Sequence, residues 1–413
     1  MSFSRQGLSS TFRRSNRQPL RKSRCCRHGR GRTEMSGPRQ TRLRLLLSKN
    51  ETDVSEDLCK DLLSWSFTDH ESGQADEISL TLKDNEGKWA GSWKPDGGEN
   101  IKMYLSAGTT EEPGPEAFLG TFFVDYQRIS GAPRVYELRA VSIPLNKPVR
   151  KTQKNRAWEN HSLQEIAQEI CRDAELELFF DSVENPQYPR IDQSRQSDMA
   201  FLQHLCEEAG LSIKVTDKTV VIFGQERYEK KDPVCTMEIG ISDILSYTFE
   251  VSQSDTYKAV KVKWRSPSAK KKDQAAGYDL NLQKVKAAKA TEYDFYLQKV
   301  DKNGKGSNPA VFEYTYTDPE ADENGQVFEM KKRCASLEEA KRLAKAKLRQ
   351  LNSRKITGEM TVVGTPFLCA GTVIKVVGAG AFSGNYIIEE ANHSGGSSGY
   401  TTGLRLRRVN KEY

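Results

Sequence analysis

Five histidines (His28, His70, His161, His204 and His393) and eight cysteines are the chain's stock for nucleophilic or metal chemistry. Their spacing builds no familiar centre. There is no His-Glu-x-x-His, no pair of Cys-x-x-Cys motifs and no Gly-x-Ser-x-Gly elbow. Cys25-Cys26-x-His28 lacks a second ligand pair at metal-binding spacing. His204 and Cys206 stand two apart within a helical pattern, so they point to different faces. His161 precedes a helix cap, which suits a structural or exposed role. The acidic pairs Glu207-Glu208 and Glu389-Glu390 are consecutive, and consecutive side chains diverge. A carboxylate pair drawn from distant segments, as in a glycosidase, has no signature in local spacing. Gly378-Ala-Gly380-Ala-Phe-Ser-Gly384 is Gly-rich but lacks the Lys-Ser/Thr ending and the following helix of a phosphate loop, so it reads as a tight hairpin. The expectation is a non-enzyme, with no catalytic residue, no metal site and no cofactor.

The elements read as strands, then helices, then strands. Residues 40–48 open a strand-like run. Leu62 to Phe67, Glu77 to Leu82, Ile101 to Leu105, Phe118 to Val124 and Val135 to Ala140 alternate or run apolar between Gly, Pro and Asp turns. That density of short strands predicts a small barrel or sandwich. Near residue 150 the period changes. Ser162-Leu163-Gln164-Glu165 is a capping box, followed by Leu163, Ile166, Ile170 and Ala174 at helical spacing. A second helix starts at Ser197-Asp198, buries Met199, Leu202, Leu205, Cys206 and Ala209, and stops at Gly210. A hairpin over Leu211–Ile222 completes a helix–helix–hairpin unit. Strands resume at Ile244–Val251 and Ala259–Trp264. A third helix begins with the box Ser336-Leu337-Glu338-Glu339, and its narrow apolar face flanked by Lys and Arg places it on a surface. Strands at 358–363, 371–377, 385–390 and 404–409 end the chain.

The expected architecture is therefore α+β and β-rich. It has a first β-barrel domain at 35–150 and a helix–helix–hairpin domain at 151–228. A second β-barrel domain at 229–413 carries a Lys-rich insertion at 266–310 and a surface helix at 336–352. The chain length fits two to four domains at roughly 150 residues each. Only 36% of residues are apolar, which suits small domains, an extended shape or large oligomer contacts.

Charge separates the ends. Residues 1–34 hold ten basic side chains against one acid, Glu34, and so carry +9. The whole chain carries +7, leaving the body at −2. The tail is rich in Arg, Ser and Gly and reads as disordered; it is either a polycation arm or an upstream translation artefact, and patterned sequence begins right after Met35. The stretch 266–290, with Lys270-Lys271-Lys272, reads as a solvated excursion. No apolar run approaches the roughly 18 residues of a membrane span, so no membrane anchor is expected. The scattered cysteines read as reduced thiols.

Three stretches carry a resemblance. The central one is Gln193-Ser-Arg-Gln-Ser197-Asp198-Met-Ala-Phe201-Leu202, running on to Gly210 and the hairpin. Before it stand Ser64-Trp-Ser-Phe-Thr68-Asp69 and Ala75-Asp76-Glu77-Ile78. After it come Gly364-Thr-Pro366 through Gly371, Ser383-Gly384-Asn-Tyr386, His393-Ser394 and Gly399-Tyr400-Thr401. In this order they resemble the phage late control D family of tail proteins, to which the N-terminal region of type VI secretion spike proteins is related. The resemblance covers about residues 40–410. It marks Asp76, Gln193, Ser197, Asp198, Phe201, Leu202, Gly210, Gly384, Tyr386 and His393 as structural signature positions. The chain departs from the pattern at His204, where an Arg is common, in the Lys-rich 266–290 stretch and in the 1–34 tail.

The resemblance implies a baseplate hub of a phage tail or phage-like injection machine. Such hubs are homotrimers in which each chain supplies two similar β-barrels, giving a ring of six that joins a six-fold tail tube to a three-fold spike. The implied partners are the chain itself, a central spike protein, a tail tube or tube-initiator protein, baseplate wedge proteins and, in some tails, a tape measure protein. DNA enters only as cargo through the channel. The implied location is the virion tail baseplate, after synthesis in the bacterial host cytoplasm. Barrel edge strands need partners, which neighbouring subunits can supply. Two other classes compete. The helix–helix–hairpin unit has the size and order of small cell-wall-binding domains, which allows a peptidoglycan-binding or cell-wall-degrading tail protein. A nucleic-acid binder would depend on residues 1–34.

Overall fold

The computed structural model describes residues 39–47, 52–109, 114–143, 152–216, 218–252, 256–265, 311–318, 325–332, 334 and 336–409. The basic stretch 1–34, with its Cys25-Cys26-x-His28 cluster, and the Lys-rich stretch 266–310 lie outside the described residues.

The first part of the chain folds into β1 (Arg39–Leu47), β2 (Thr52–Asp53), the short helix α1 (Ser55–Asp61), β3 (Leu62–His70), β4 (Glu77–Lys83), β5 (Asn100–Thr109), β6 (Ala117–Ser130) and β7 (Val135–Val141). Alternation produces these strands: Trp65 and Phe67, Ile78, Leu80 and Leu82, and Ile101, Met103 and Leu105 all turn to one buried face. Each such side chain contributes about 1.5–3 kcal/mol by leaving water.

The middle part runs β8 (Lys154–Ser162), α2 (Leu163–Asp173), β9 (Glu177–Asp181), β10 (Gln187–Gln196), α3 (Asp198–Ala209), β11 (Ser212–Thr216), β12 (Thr219–Phe223) and the short α4 (Gln225–Glu229). The capping box forms: Ser162 accepts the Glu165 N–H while Glu165 accepts the Ser162 N–H. The expected hairpin pairs β11 with β12. β9 adds to β12 in parallel, and β8 pairs with β10 as a separate ribbon, so the two helices sit among more strands than periodicity revealed.

The last part holds β13 (Cys235–Glu238), β14 (Ile244–Val251), β15 (Tyr257–Arg265), β16 (Val311–Thr317), β17 (Gln326–Lys331), α5 (Leu337–Asn352), β18 (Ile356–Val363), β19 (Val373–Val377), β20 (Gly384–Gly396) and β21 (Gly399–Arg408). A single 3-10 turn at Gly380–Phe382 connects the antiparallel pair β19 and β20, where the Gly-rich run predicted a hairpin.

Thirteen strands form one sheet in the order β14-β18-β21-β20-β3-β4-β7-β6-β5-β1-β2, with β13 and β19 off that path. Antiparallel pairing of β3 with β20, from Glu390 opposite His70 to Gly396 opposite Ser64, joins the two ends of the chain. β15, β16 and β17 leave this sheet for one of their own, and α5 covers it with Ala340, Leu343, Ala344 and Leu348. The described residues thus form four apolar cores: one within residues 43–140, one within 158–222, one within 237–406 and one beneath α5. The protein is β-rich with few helices. No helix among the described residues is long and apolar enough to cross a membrane.

Candidate functional site

The cores are apolar, but the places where they meet are charged. At the first joint, strand β11 lies against the β3–β4 turn. Gly73 N–H donates to the Ile213 carbonyl at 3.0 Å, and Ser142 Oγ donates to the Val215 carbonyl at 3.2 Å. Lys214, from β11, inserts its ammonium between Asp69 and Asp76 and also donates to the His70 carbonyl at 2.7 Å. Asp69 reaches onward and accepts the Ala370 N–H at 2.8 Å, so a single carboxylate touches three parts of the chain. Asp76 is buried, accepts the His70 N–H at 3.0 Å and receives Lys214 at 3.2 Å. Burial, reinforced by the neighbouring Asp69, pushes the Asp76 carboxyl up to about 6 against the pull of Lys214. Burial alone would lower the Lys214 ammonium; Asp69 and Asp76 outweigh it and hold the ammonium above its ordinary value.

The second joint centres on Arg407 of β21, which is 3% exposed. Its guanidinium meets Glu229 of α4, Glu71 after β3 at 3.3 Å and Glu389 of β20 at 3.3 Å. Arg349 of α5 reaches the same Glu229 at 2.8 Å and Glu226 at 3.2 Å. Burial raises the Glu71 carboxyl above its ordinary range although Arg407 opposes the shift.

The third cluster opens α3. Ser197 caps the helix by accepting the Ala200 N–H at 3.3 Å. Asp198, fully buried, binds Lys154 at 2.6 Å, Arg156 at 2.7 Å and Gln193 Nε2 at 3.0 Å. Burial alone would raise its carboxyl, but the bonds from Lys154, Gln193 and Arg156 hold it below the ordinary range. Phe201 stacks on Trp158 at 5.2 Å, and Leu202 is buried beside it. At the other end, Gly210 takes φ +72°, and a Cβ there would lie 2.8 Å from the Ala346 Cβ of α5.

The C-terminal signature positions stand apart from that cluster. Gly384 opens β20 at φ +156°, where a Cβ would press the Arg408 guanidinium at 3.2 Å. Tyr386 is fully buried and donates its hydroxyl to the Phe382 carbonyl at 2.7 Å. His393 is buried and stacks on Phe67 at 5.7 Å across the β3–β20 seam. Its Nε2 faces the Leu368 carbonyl at 3.1 Å, so that nitrogen carries the proton; Nδ1 accepts from the Tyr400 hydroxyl at 2.7 Å. Burial pushes the His393 imidazole down to about 4.

The ten positions the resemblance marked therefore lie around the two ends of α3, at the Asp76 joint and in the β20 region rather than around one cleft. Sequence reading passed over Arg407, Glu71, Glu229, Lys214, Lys154 and Arg156. The only local hint was the mixing of charge into apolar strands, as in Leu404-Arg-Leu406-Arg407.

A family model described as phage tail baseplate hub (GPD) matches residues 129–399. The probable baseplate hub protein of Escherichia phage 186 is 25% identical over 369 residues, spanning 87% of this chain and 92% of that relative. The probable baseplate hub protein of Escherichia phage P2 is also 25% identical, over 371 residues and the same shares. Among solved structures, the 43 kDa tail protein of prophage MuSo2 from Shewanella oneidensis has the same fold, with a TM-score of 0.61 at 12% identity over 90% of this chain and 99% of that one. A component of the type VI secretion system of E. coli has a TM-score of 0.51 at 11% identity, over 89% of this chain and 77% of that one. The chain belongs to the phage tail baseplate hub family, with a structural role in a tail baseplate.

Proposed function

We propose that three copies of this chain close into a ring that joins a six-fold tail tube to a three-fold spike. The observation that carries this reading is the end of the large sheet. β14 pairs only with β18, and its other edge is open among the described residues. Leu245, Tyr247 and Val251 on it are exposed, with no Lys or Pro to discourage pairing. A strand of that kind needs a partner chain. The two halves of the sheet act as the two similar β-barrels of the ring, over 35–150 and 229–413, with the unit at 151–228 between them in sequence. The ten signature residues are positioning groups that fix the angles between these units.

In this reading the partners are two further copies of the chain, a central spike protein, a tail tube or tube-initiator protein, wedge proteins and, in some tails, a tape measure protein. DNA is cargo. The chain is made in the bacterial host cytoplasm and acts in the virion baseplate. Light scattering of the full chain tests the reading: a particle of three times the 46.6 kDa chain mass is expected. A monomer at every concentration, alone and with purified spike, refutes it.

A further inference from the structure

The two halves of the large sheet repeat one another strand by strand. One half runs β3-β4-β7-β6-β5; the other runs β14-β18-β21-β20-β19. The registers correspond as well as the order. Val124 of β6 faces Ala140 of β7, and the next paired residue is Tyr126, past a bulge. Ile388 of β20 faces Leu406 of β21, and the next paired residue is Glu390, past the matching bulge. Ala140 and Leu406 lead on to Ile78 and Gly358, and these lead to Phe67 of β3 and Phe249 of β14. β3 and β14 each carry a further register shift, at Leu62/Ser64 and Ile244/Ser246. Gly120 and Gly384 each stand four residues before the matched pair's Val124 and Ile388, at φ +146° and +156°. Val124 exchanges hydrogen bonds with Gly98 and Glu99 as Ile388 does with Gly371 and Thr372.

One bond of this pattern is made inside the chain and its counterpart is not. β3 pairs with the second half of β20. The equivalent of β3 is β14, and the equivalent of that half of β20 is Tyr126–Ser130 of β6 with Gly131 just past its end. Among the described residues β14 has an open edge, with Leu245 at 59%, Tyr247 at 49% and Val251 at 45% exposure. β5 pairs with β6 only up to Phe123, which among the described residues leaves the far half of β6 open on that side, with Tyr126 at 42% and Ile129 at 48% exposure.

We propose that β14 of one copy adds antiparallel to the far half of β6 of the next copy, repeating between chains the β3–β20 seam within each chain. This rests on the ring reading above and names its interface. Transferring the β3–β20 register puts Ser252 opposite Tyr126, Glu250 opposite Arg128, Phe249 opposite Ile129, Thr248 opposite Ser130 and Tyr247 opposite Gly131. Two of these pairs argue for the register independently. Glu250 and Arg128 are opposite charges; Arg128 is largely exposed and, among the described residues, pairs with Glu137 at 3.8 Å. In the internal seam Trp65 lies over Gly395, where a Cβ would stand 2.4 Å from the indole nitrogen. In the transferred register an aromatic, Tyr247, again comes opposite a glycine, Gly131, the first residue after β6. The contact is head-to-tail, each copy offering one strand and receiving another, which is the kind of interface that closes into a ring.

The test uses the full chain. Arg128→Glu and Glu250→Arg should each keep the native circular dichroism but raise the concentration at which trimers form by about tenfold or more, because like charges face each other at all three contacts. Combining the two reversals should restore assembly. A chain carrying both Ser130→Cys and Thr248→Cys should give oxidant-dependent dimers and trimers on non-reducing gels, with neither single substitution nor the native chain doing so. Trimers that ignore both reversals and yield no cross-link overturn this interface while leaving the ring standing. Single reversals that weaken assembly without mutual rescue or cross-linking overturn it too. A native chain that stays monomeric overturns the ring reading and this interface together.

Discussion

Replacing Arg407 by Met is the sharpest test of the charged joints. The guanidinium is 3% exposed and is shared by Glu71, Glu229 and Glu389. Met fills a similar volume, so the change removes charge rather than packing. It leaves Glu71 and Glu229 buried, with Arg349 as the remaining cation, held to Glu229 and Glu226. Breaking a buried pair on one side costs about 3–5 kcal/mol. At a urea dependence of about 3 kcal/mol/M, the midpoint should fall by about 1–1.7 M near pH 7.5. The loss should depend on pH in a stated direction. Glu71 already has a raised carboxyl, and without Arg407 it rises further. A carboxyl whose folded value lies above its unfolded value adds stability below the unfolded value, and that stability is lost as pH rises through the folded value. The variant should therefore regain ground on the native chain between pH 7.5 and pH 5. Urea curves of both chains, read by tryptophan fluorescence at the two pH values, decide it. A midpoint shift under 0.3 M, as a rough threshold, or a deficit that grows on acidification, refutes the argument.

Two further outcomes follow from the clusters. Asp198→Asn removes the carboxylate held by Lys154 and Arg156 and should cost about 2–3 kcal/mol at pH 7. Since the Asp198 carboxyl is held low, its contribution is lost as pH falls, and the gap between native and variant should close toward pH 3; a gap constant from pH 7 to 3 counts against this reading. His393 is pushed down to about 4, so the folded chain takes up that proton later than the unfolded chain does. Stability should fall by about 3 kcal/mol as pH drops from 6.5 to 4, and His393→Gln should flatten that part of the melting-temperature profile. An unchanged profile would show that His393 is not the group responsible.

Much of the framework was legible because alternation and caps are local. Trp65, Phe67, Ile78, Leu80 and Leu82 announce their strands, and Ser162, Ser197 and Ser336 announce their helices. β8 and β10 were missed because their ribbon is mostly polar: in β8 only Trp158 and Ser162 are buried. The joints were illegible for a different reason. Arg405 and Arg407 look alike in the sequence, both on the face of β21 opposite Leu404 and Leu406. Only the arrival of Glu71 and Glu229 from distant segments buries one and leaves the other exposed. The repeat was also present, as Leu63-Ser-Trp-Ser-Phe67 against Leu245-Ser-Tyr-Thr-Phe249. So little identity survives that the matching bulges, not the letters, make the equivalence plain.

The seam between β3 and β20 shows what such a joint asks of the sequence. A strand from residues 62–70 must wait for one from 384–396, with the whole middle of the chain in between. Until then β3 presents an open edge carrying Trp65 and Phe67. Non-local pairing of this kind is slow and exposes apolar surface. What holds the finished seam is side-chain fit as much as the ladder: Phe67 stacks on His393, and Trp65 covers Gly395 and meets Tyr400 at 5.4 Å. Gly395→Val tests that fit, because its Cβ would sit 2.4 Å from the indole nitrogen of a tryptophan that is 6% exposed. The indole must leave its seat, at a cost of about 3–5 kcal/mol. The variant should melt several degrees lower, show red-shifted tryptophan emission and lose amide protection along Ser64–Phe67 ahead of the α2–α3 unit. Native-like protection along that strand in the valine variant would mean that the seam rests on its backbone ladder alone, and the same argument for Tyr247 over Gly131 would lose its footing.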